Sequence, residues 1–174
     1  MKKPLHILID GADGLGKTTI CQMLSRTLNL PVIKMPNMEE YLNKGTPEEF
    51  SKLFNETIIQ FAEYDFIMDR GFTSSLVYSK VNNRKDDLSY ISRIEQILDP
   101  EVFILVSRSH SVFADMNEMK ERKFFRADKM FDRVLVEKID DEFARIANEK
   151  YWSIQVNYKS PMEIVKFIIS KLKE

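Results

Sequence analysis

Residues 5–19 read Leu5-His6-Ile7-Leu8-Ile9-Asp10-Gly11-Ala12-Asp13-Gly14-Leu15-Gly16-Lys17-Thr18-Thr19, and this stretch decides the fold. Leu5 to Ile9 is an apolar run of strand length, bounded at once by turn residues. The chain breaks at Gly11, passes through Gly14 and Gly16, and enters a helix near Lys17. Gly11, four residues, then Gly16-Lys17-Thr18 is the full spacing of a phosphate-binding loop. The glycines let backbone N–H groups turn inward, so that a polyphosphate rests in a nest at a helix N-terminus. Lys17 is placed to reach the β and γ phosphates, and Thr18 to ligate the Mg²⁺ that bridges them. A glycine-rich turn that binds nothing is the competing reading. The strand before and the helix after are the context that the motif requires.

The bulk numbers fit a small catalytic or binding domain. A chain of 174 residues is most simply one domain, spanning 1–174, and it is long enough to build one core. The formal net charge of −1 argues against a general nucleic-acid binder, which should be basic. Cys21 is the single cysteine, so no intrachain disulfide can form, and a reducing compartment fits. Lys2 and Lys3 resemble the start of a signal peptide, but Asp10 and Asp13 interrupt the apolar stretch too early for one. No run approaches the ~20 apolar residues of a membrane span. The expectation is a soluble cytoplasmic protein without membrane contact.

Outward from the loop, short apolar strands alternate with helices. A helix is expected from about Lys17 to Leu28, then a strand from Pro31 to Met35. Thr46-Pro47-Glu48-Glu49 carries a capping box that opens a helix running to about Glu63, with Phe50, Leu53, Phe54, Ile58 and Phe61 inward. Phe66 to Asp69 reads as a third strand, Ser74 to Ser79 as a helix, Leu88 to Leu98 as amphipathic, and Val102 to Val106 as a fourth strand. Helices follow over 109–119 and 130–149, the second with Phe131, Val134, Leu135, Ile139, Phe143 and Ile146 inward. Trp152 to Val156 is a fifth strand. Ser160-Pro161-Met162-Glu163 opens a last helix with Ile164, Phe167, Ile168 and Leu172 inward. Such alternation predicts an α/β fold: a five-stranded parallel sheet with helices on both faces and ligands at the carboxyl ends of the strands.

Three features narrow the chemistry. Asp69-Arg70 ends the third strand, where a carboxylate can hold Mg²⁺ and a guanidinium can fork onto a second phosphate; a plain surface pair capping a strand would look the same. Ser74 and Ser75 follow at helix-start positions, where capping alone would explain them. Lys120, Arg122, Lys123 and Arg126 lie between two helices, over a lid at about 117–129 that brings positive charge onto a transferring phosphoryl group. A solvated charged face, with Glu121 and Asp128 as partners, is the alternative. Asp13 is an anion inside an anion-binding loop. It makes sense if it points away from the phosphates to accept a hydrogen bond from a second substrate's hydroxyl; an exposed turn aspartate is the plain alternative.

Together these features resemble the thymidylate kinases, within the wider P-loop nucleoside and nucleotide kinases. Their loop carries an acid at the position of Asp13, and Asp69-Arg70-Gly71-Phe72-Thr73-Ser74-Ser75-Leu76-Val77-Tyr78 is similar to their Asp-Arg-Tyr segment with Ser-Ser and an aromatic. Lys34-Met35-Pro36-Asn37 resembles their turn after the second strand, Asp99-Pro100 with Val102 to Val106 their fourth strand, and Phe131-Asp132-Arg133-Val134 the start of their helix after the lid. The resemblance covers nearly the whole chain. It implies ATP and Mg²⁺ as cofactors, a small-molecule nucleotide substrate, and a homodimer. ATP would sit on Gly11 to Thr19, with Thr18 and Asp69 at the metal and Lys17, Asp69, Arg70, Arg122 and Arg126 catalytic. Asp13, Lys34, Arg70 and Ser74 would meet the acceptor. Gly71 replaces an aromatic, Met38 stands where the family turn brings an arginine, and residues 47–63 hold no arginine to read thymine, so the base does not carry over.

The leading expectation is ATP-dependent phosphoryl transfer to a deoxynucleoside monophosphate, giving the diphosphate. A deoxynucleoside kinase is the runner-up. It would need a general base for a neutral hydroxyl, and the turn after the second strand has no acid until Glu39. A kinase of nucleotides within DNA is disfavoured by the weak net charge. A GTPase or other nucleotide-binding regulatory module is a different class. Asn43-Lys44-Gly45-Thr46 suggests a guanine-reading motif only superficially, because Thr46 is not acidic.

Overall fold

The apolar run forms β1 (His6–Gly11), in which every residue is buried. Its enclosure follows from its place in the sheet. β1 pairs in parallel with β3 (Phe66–Asp69) on one side and with β4 (Glu101–Val106) on the other. β2 (Val32–Lys34) joins the far edge of β3, and β5 (Ser153–Asn157) the far edge of β4, so the strand order is β2-β3-β1-β4-β5. Strands with neighbours on both edges and helices on both faces are continuous apolar runs. The two edge strands are the part-exposed ones. The computed structural model describes residues 3–35, 45–107, 133–150, 153–157 and 159–174.

Six α-helices complete the described part: α1 (Lys17–Leu28), α2 (Pro47–Ile58), α3 (Phe72–Val81), α4 (Tyr90–Leu98), α5 (Arg133–Glu149) and α6 (Pro161–Lys171). α1 packs against β3 and α6, whereas α5 packs against α3, β4 and β5. α1 stops at Asn29, whose left-handed backbone (φ 55°) turns its N–H back to Ser25 O. Both expected capping boxes form: Thr46 with Glu49 opens α2, and Ser160 with Glu163 opens α6. The β2 and β3 strands lie to one side of β1, and β4 and β5 to the other. The winding of the chain therefore reverses at β1, the point of a parallel sheet where ligands bind.

The inward faces of three helices differ from the apolar periodicity. α2 turns Phe50, Ser51, Asn55 and Ile58 inward and leaves Leu53 54% exposed. It ends at Ile58, and a 3₁₀ turn (Ile59–Phe61) follows in place of more α-helix. The tighter winding takes Phe61 off the inner stripe, and it too is exposed. On α5, Ile139, Phe143 and Ile146 are core residues, as expected, while Val134 and Leu135 at its first turns are exposed. On α6, Ile164, Val165 and Ile168 fill the core, Leu172 packs at its border and Phe167 is exposed. The expected helix at 109–119, the lid with Arg122 and Arg126, Phe131, and the turn at 36–44 lie outside the described residues.

Candidate active site

The loop between β1 and α1 closes as a cradle because glycine is required at its entry. A β-carbon on Gly11 would lie 2.4 Å from Leu105 O of the neighbouring strand, and the residue sits at φ 140°. Gly16, just before α1, holds a left-handed φ of 71°. No side chain caps α1 and its first turn carries no acid, so its N-terminal N–H groups are left for an anion. Leu15 at the turn is buried and anchors the loop to the core. Thr18 and Thr19 are exposed at the start of the helix.

Lys17 is buried under this loop, with Nζ donating to Ala12 O at 2.5 Å. Burial lowers its pKa to about 8, and the Arg70 charge pushes the same way, against the pull of Asp13, Asp10 and Asp69. A lysine whose charge is disfavoured by burial gains from a polyphosphate in the cradle, which favours its protonated form. Thr18 Oγ1 donates to Asp69 Oδ2 at 2.7 Å. Asp69 is buried, and its Oδ1 has no hydrogen-bond partner among the described residues. Thr18 and Asp69 thus bring a hydroxyl and a spare carboxylate oxygen together beside the cradle. Oxygen donors of this kind suit Mg²⁺, which is bound by one or two carboxylates together with substrate phosphates and water.

Asp13, within the loop, forms an ion pair with Arg70. Tyr78, on α3, donates its hydroxyl to Asp13 Oδ2 at 3.4 Å. Burial pushes the Asp13 carboxyl up, but the Arg70 and Lys17 charges and its two hydrogen-bonding partners outweigh it, and its net shift is downward. Burial opposes the charge on Arg70 while Asp13 holds it, with the net shift upward. Arg70 has φ 73°, a left-handed backbone uncommon outside glycine, and its N–H bonds Ile9 O at 3.1 Å. β3 ends just before this residue, and its guanidinium reaches Asp13 of the loop. Strained backbone held by its surroundings is characteristic of functional sites.

Two buried acids at this end of the sheet are absent from the expected set. Asp10, fully buried, accepts from Gly11 N (2.9 Å), Ser74 Oγ (2.7 Å), Ser74 N (2.9 Å) and Gly71 N (3.3 Å). It ties the loop to the N-terminus of α3. Burial raises its pKa, although Ser74, Lys17, Arg70 and Gly11 all pull it down. Ser74 is consequently engaged with Asp10, with its hydroxyl turned into the protein. Asp140 of α5 accepts the Ser107 N–H with both oxygens, at 3.0 and 3.1 Å, where the chain leaves β4. Burial raises its pKa to about 6. Lys34 is exposed at the end of β2, in register with Asp69. Cys21 is buried, and burial pushes its thiol up, which leaves it unreactive.

Among the described residues no cluster of three or more His, Cys, Asp or Glu forms a metal site, and no helix is long and apolar enough to cross a membrane. The sequence-expected residues Asp13, Lys17, Thr18, Asp69 and Arg70 are therefore brought together; Arg122 and Arg126 lie outside the described residues.

No family model matches the chain, and no curated protein matches it. Solved structures do share its fold. The YorR protein from Bacillus subtilis, solved with phosphorylated GDP, superposes with a TM-score of 0.70 at 23% identity, over 97% of this chain and 95% of that one. Thymidylate kinase from Candida albicans superposes with a TM-score of 0.66 at 19% identity, over 98% and 92%. Deoxyadenosine kinase from M. mycoides, solved with dCMP and dCDP, gives 0.64 at 17% identity, over 97% and 98%. The chain has the fold of the P-loop nucleoside and nucleotide kinases.

Proposed function

We propose that this fold carries ATP-dependent phosphoryl transfer to a deoxynucleoside monophosphate, giving the diphosphate. The observation that carries the reading is the Asp13–Arg70 pair at the edge of the phosphate cradle. A loop that bound only a nucleoside triphosphate would have no use for a carboxylate there. A site that grips a second substrate at two points, a sugar hydroxyl and a 5′ phosphate, needs an acceptor and a cation side by side.

In this scheme the triphosphate of ATP occupies Gly11 to Thr19. Lys17 exchanges Ala12 O for the β and γ phosphates, and Thr18 and Asp69 are the residues that would hold Mg²⁺, which would supply charge neutralisation for the triphosphate. Arg70 holds the acceptor phosphate and Asp13 the sugar hydroxyl, with Lys34 at the same rim. An acceptor phosphate oxygen attacks the γ-phosphorus, and the bond to the leaving ADP breaks. The lid arginines Arg122 and Arg126 supply further positive charge to the transferring group. An acceptor phosphate is already anionic near neutrality and needs no general base. In keeping with this, β2 ends in Lys34 and not in an acid. The fold neighbours named above include both monophosphate and nucleoside kinases, so the acceptor is the point to test.

The test is transfer from Mg·ATP to deoxynucleosides and to their monophosphates, for the wild type, Arg70→Ala and Asp13→Asn. Losing an arginine fork on phosphate costs about 1.5–3 kcal/mol, or about 10- to 150-fold in kcat/KM for the monophosphate, with ATP KM little changed. A wild type that prefers the unphosphorylated nucleoside, or variants that keep normal acceptor kinetics, would sink this reading.

A further inference from the structure

One buried acid at this end of the sheet enters no step above. Asp140 on α5 is 4% exposed, and both of its oxygens accept the Ser107 N–H, at 3.0 and 3.1 Å. No ion pair among the described residues includes it.

A carboxylate is more than this bond needs. A single N–H takes one acceptor, and asparagine would supply it at the same size without burying a charge. Burial pushes the Asp140 carboxyl up to about 6, so near neutrality the folded chain carries a charge that it would be more stable without. The charges around it leave that cost standing. Asp141, the next residue on α5, opposes ionisation, and Lys17 of the phosphate loop favours it. Lys80 of α3 acts on Glu142 instead. The one charged residue of β4 is Glu101, at the opposite end of that strand, and β5 has none. A stability cost with no structural gain is the mark of a functional site.

The use lies in what Ser107 adjoins. β4 runs in register beside β1, with Leu105 opposite Gly11. Gly11 is the first glycine of the phosphate loop, and a β-carbon on it would meet Leu105 O at 2.4 Å. The entry of the loop therefore rests directly on the end of β4, and Ser107 lies two residues further along that same backbone. The ladder between β4 and β5 reaches its last pair at Val106 and Asn157, so the next N–H, that of Ser107, is held by Asp140. A charge-assisted bond is roughly twice as strong as a neutral one. Lys17, under the same loop, lies close enough for its charge to act on Asp140, so the acid is within electrostatic reach of the cradle. Phosphoryl transfer depends almost entirely on positioning, and a misplacement of about 1 Å can lower the rate about a hundredfold. A wall that must not move is the place for the stronger bond.

We infer that the Asp140 carboxylate is a positioning residue for phosphoryl transfer: through the Ser107 N–H it fixes the end of β4, and with it the wall of the phosphate cradle at Gly11. It touches neither substrate nor reacting atoms. The inference rests on the phosphoryl transfer proposed above.

The experiment measures kcat with the acceptor that the wild type uses best, and the Kd of Mg·ATP by calorimetry, for the wild type, Asp140→Ala and Asp140→Asn between pH 5 and pH 8. Circular dichroism checks that each protein is folded at the assay temperature. At pH 7.5 Asp140→Ala should lower kcat by about tenfold or more, the scale of one lost bond to a charged group. The Kd of Mg·ATP should change by less than about threefold, because geometry weighs more on transfer than on ground-state binding. Asp140→Asn keeps an acceptor oxygen and should recover kcat to within about threefold. The ratio of wild-type to Asp140→Asn kcat should rise as pH passes through about 6, where Asp140 gains its charge. Substrate phosphates titrate in the same range for both proteins and drop out of that ratio. The ratio needs only the asparagine variant, so it decides the matter if Asp140→Ala does not fold. A merely structural acid would change Tm and leave kcat of the folded protein and the ratio unmoved, which overturns the inference. Equal losses in the two variants, or a flat ratio, overturn it as well. A wild type that transfers to no nucleoside or monophosphate overturns the proposed function instead; the same ratios are then read on hydrolysis of ATP, which uses the same loop, and a chain that consumes no ATP overturns both.

Discussion

Replacing Asp10 by alanine tests the join between the phosphate loop and α3. The wild-type carboxylate is fully buried and accepts four hydrogen bonds, from Gly11 N, Gly71 N, Ser74 N and Ser74 Oγ. Alanine leaves three backbone N–H groups and one hydroxyl without that acceptor. Each buried donor left unsatisfied costs about 1–3 kcal/mol. The raw sum overshoots, because the wild type already bears the cost of burying a charge, which is why burial lifts this carboxyl, and because water can enter the space left behind. Removing one partner of a buried charged group typically costs about 3–5 kcal/mol. For a chain of this length, 1 kcal/mol shifts the melting temperature by about 2–4 °C, so Tm should fall by about 6–20 °C. Asp10→Asn keeps one acceptor oxygen and turns an NH₂ group toward the other donors, so it should fall between the two. Thermal unfolding followed by circular dichroism reads both variants. A loss of under about 2 °C for Asp10→Ala would refute the idea that this acid fastens α3 to the loop.

Lys17→Ala should abolish transfer, read as turnover at a temperature where melting shows the variant folded; near-normal turnover would remove Lys17 from the mechanism. Because burial lowers the Lys17 pKa to about 8, bound triphosphate should restore its proton. Calorimetry near pH 8 in buffers of different ionisation enthalpy should therefore detect proton uptake on ATP binding, and affinity should weaken as pH rises further. Gly11→Ala should be destabilised by several kcal/mol or fail to fold, since its β-carbon would meet Leu105 O at 2.4 Å; expression with a normal Tm would contradict that contact. Asp140 has a folded pKa of about 6, above its ordinary value of 3.8, so the folded state holds the extra proton and stability falls as pH rises between those values. Asp140→Asn removes this effect, so the wild-type Tm minus the variant Tm should decline from about pH 4 to pH 7, by the equivalent of ~3 kcal/mol at most; a flat difference would be evidence against it.

Much of the framework was legible because its signals are local. The loop spacing, the two capping boxes and the apolar β3 run ending at Asp69 each announce an element within a few residues, and the structure starts or ends those elements where they indicate. Helix phase was less legible. Periodicity assigned Leu53 to the interior of α2, yet the buried line runs through Ser51 and Asn55. Apolar spacing assumes that the core is apolar everywhere. Here α2 faces a polar cluster formed with α3 and α4, which only the tertiary arrangement creates.

The same limit governs the site. Asp13, Lys17 and Thr18 could be named from their places in the loop motif, and Asp69 and Arg70 from the end of an apolar strand. Asp10 stood in plain view as the acid that ends an apolar run, and it reads there as an interruption. Its partner Ser74 lies 64 residues away, and nothing local links the two. Ser74 illustrates the cost of that gap. Its position at a helix start fits either capping or substrate contact, and the acid that engages its hydroxyl comes from another strand. Asp140 was hidden for the same reason, since its partner Ser107 is 33 residues distant. Both acids bind backbone N–H groups where the chain leaves a strand or enters a helix at the carboxyl end of the sheet. At that end, strands stop donating to one another, and each freed N–H needs an acceptor. Buried carboxylates that meet this need fix the loops, and the loops in turn place the residues that the motif names. A search for acids at the ends of central apolar strands is therefore the signal that would have found Asp10, because a charge there is tolerated only where several donors surround it.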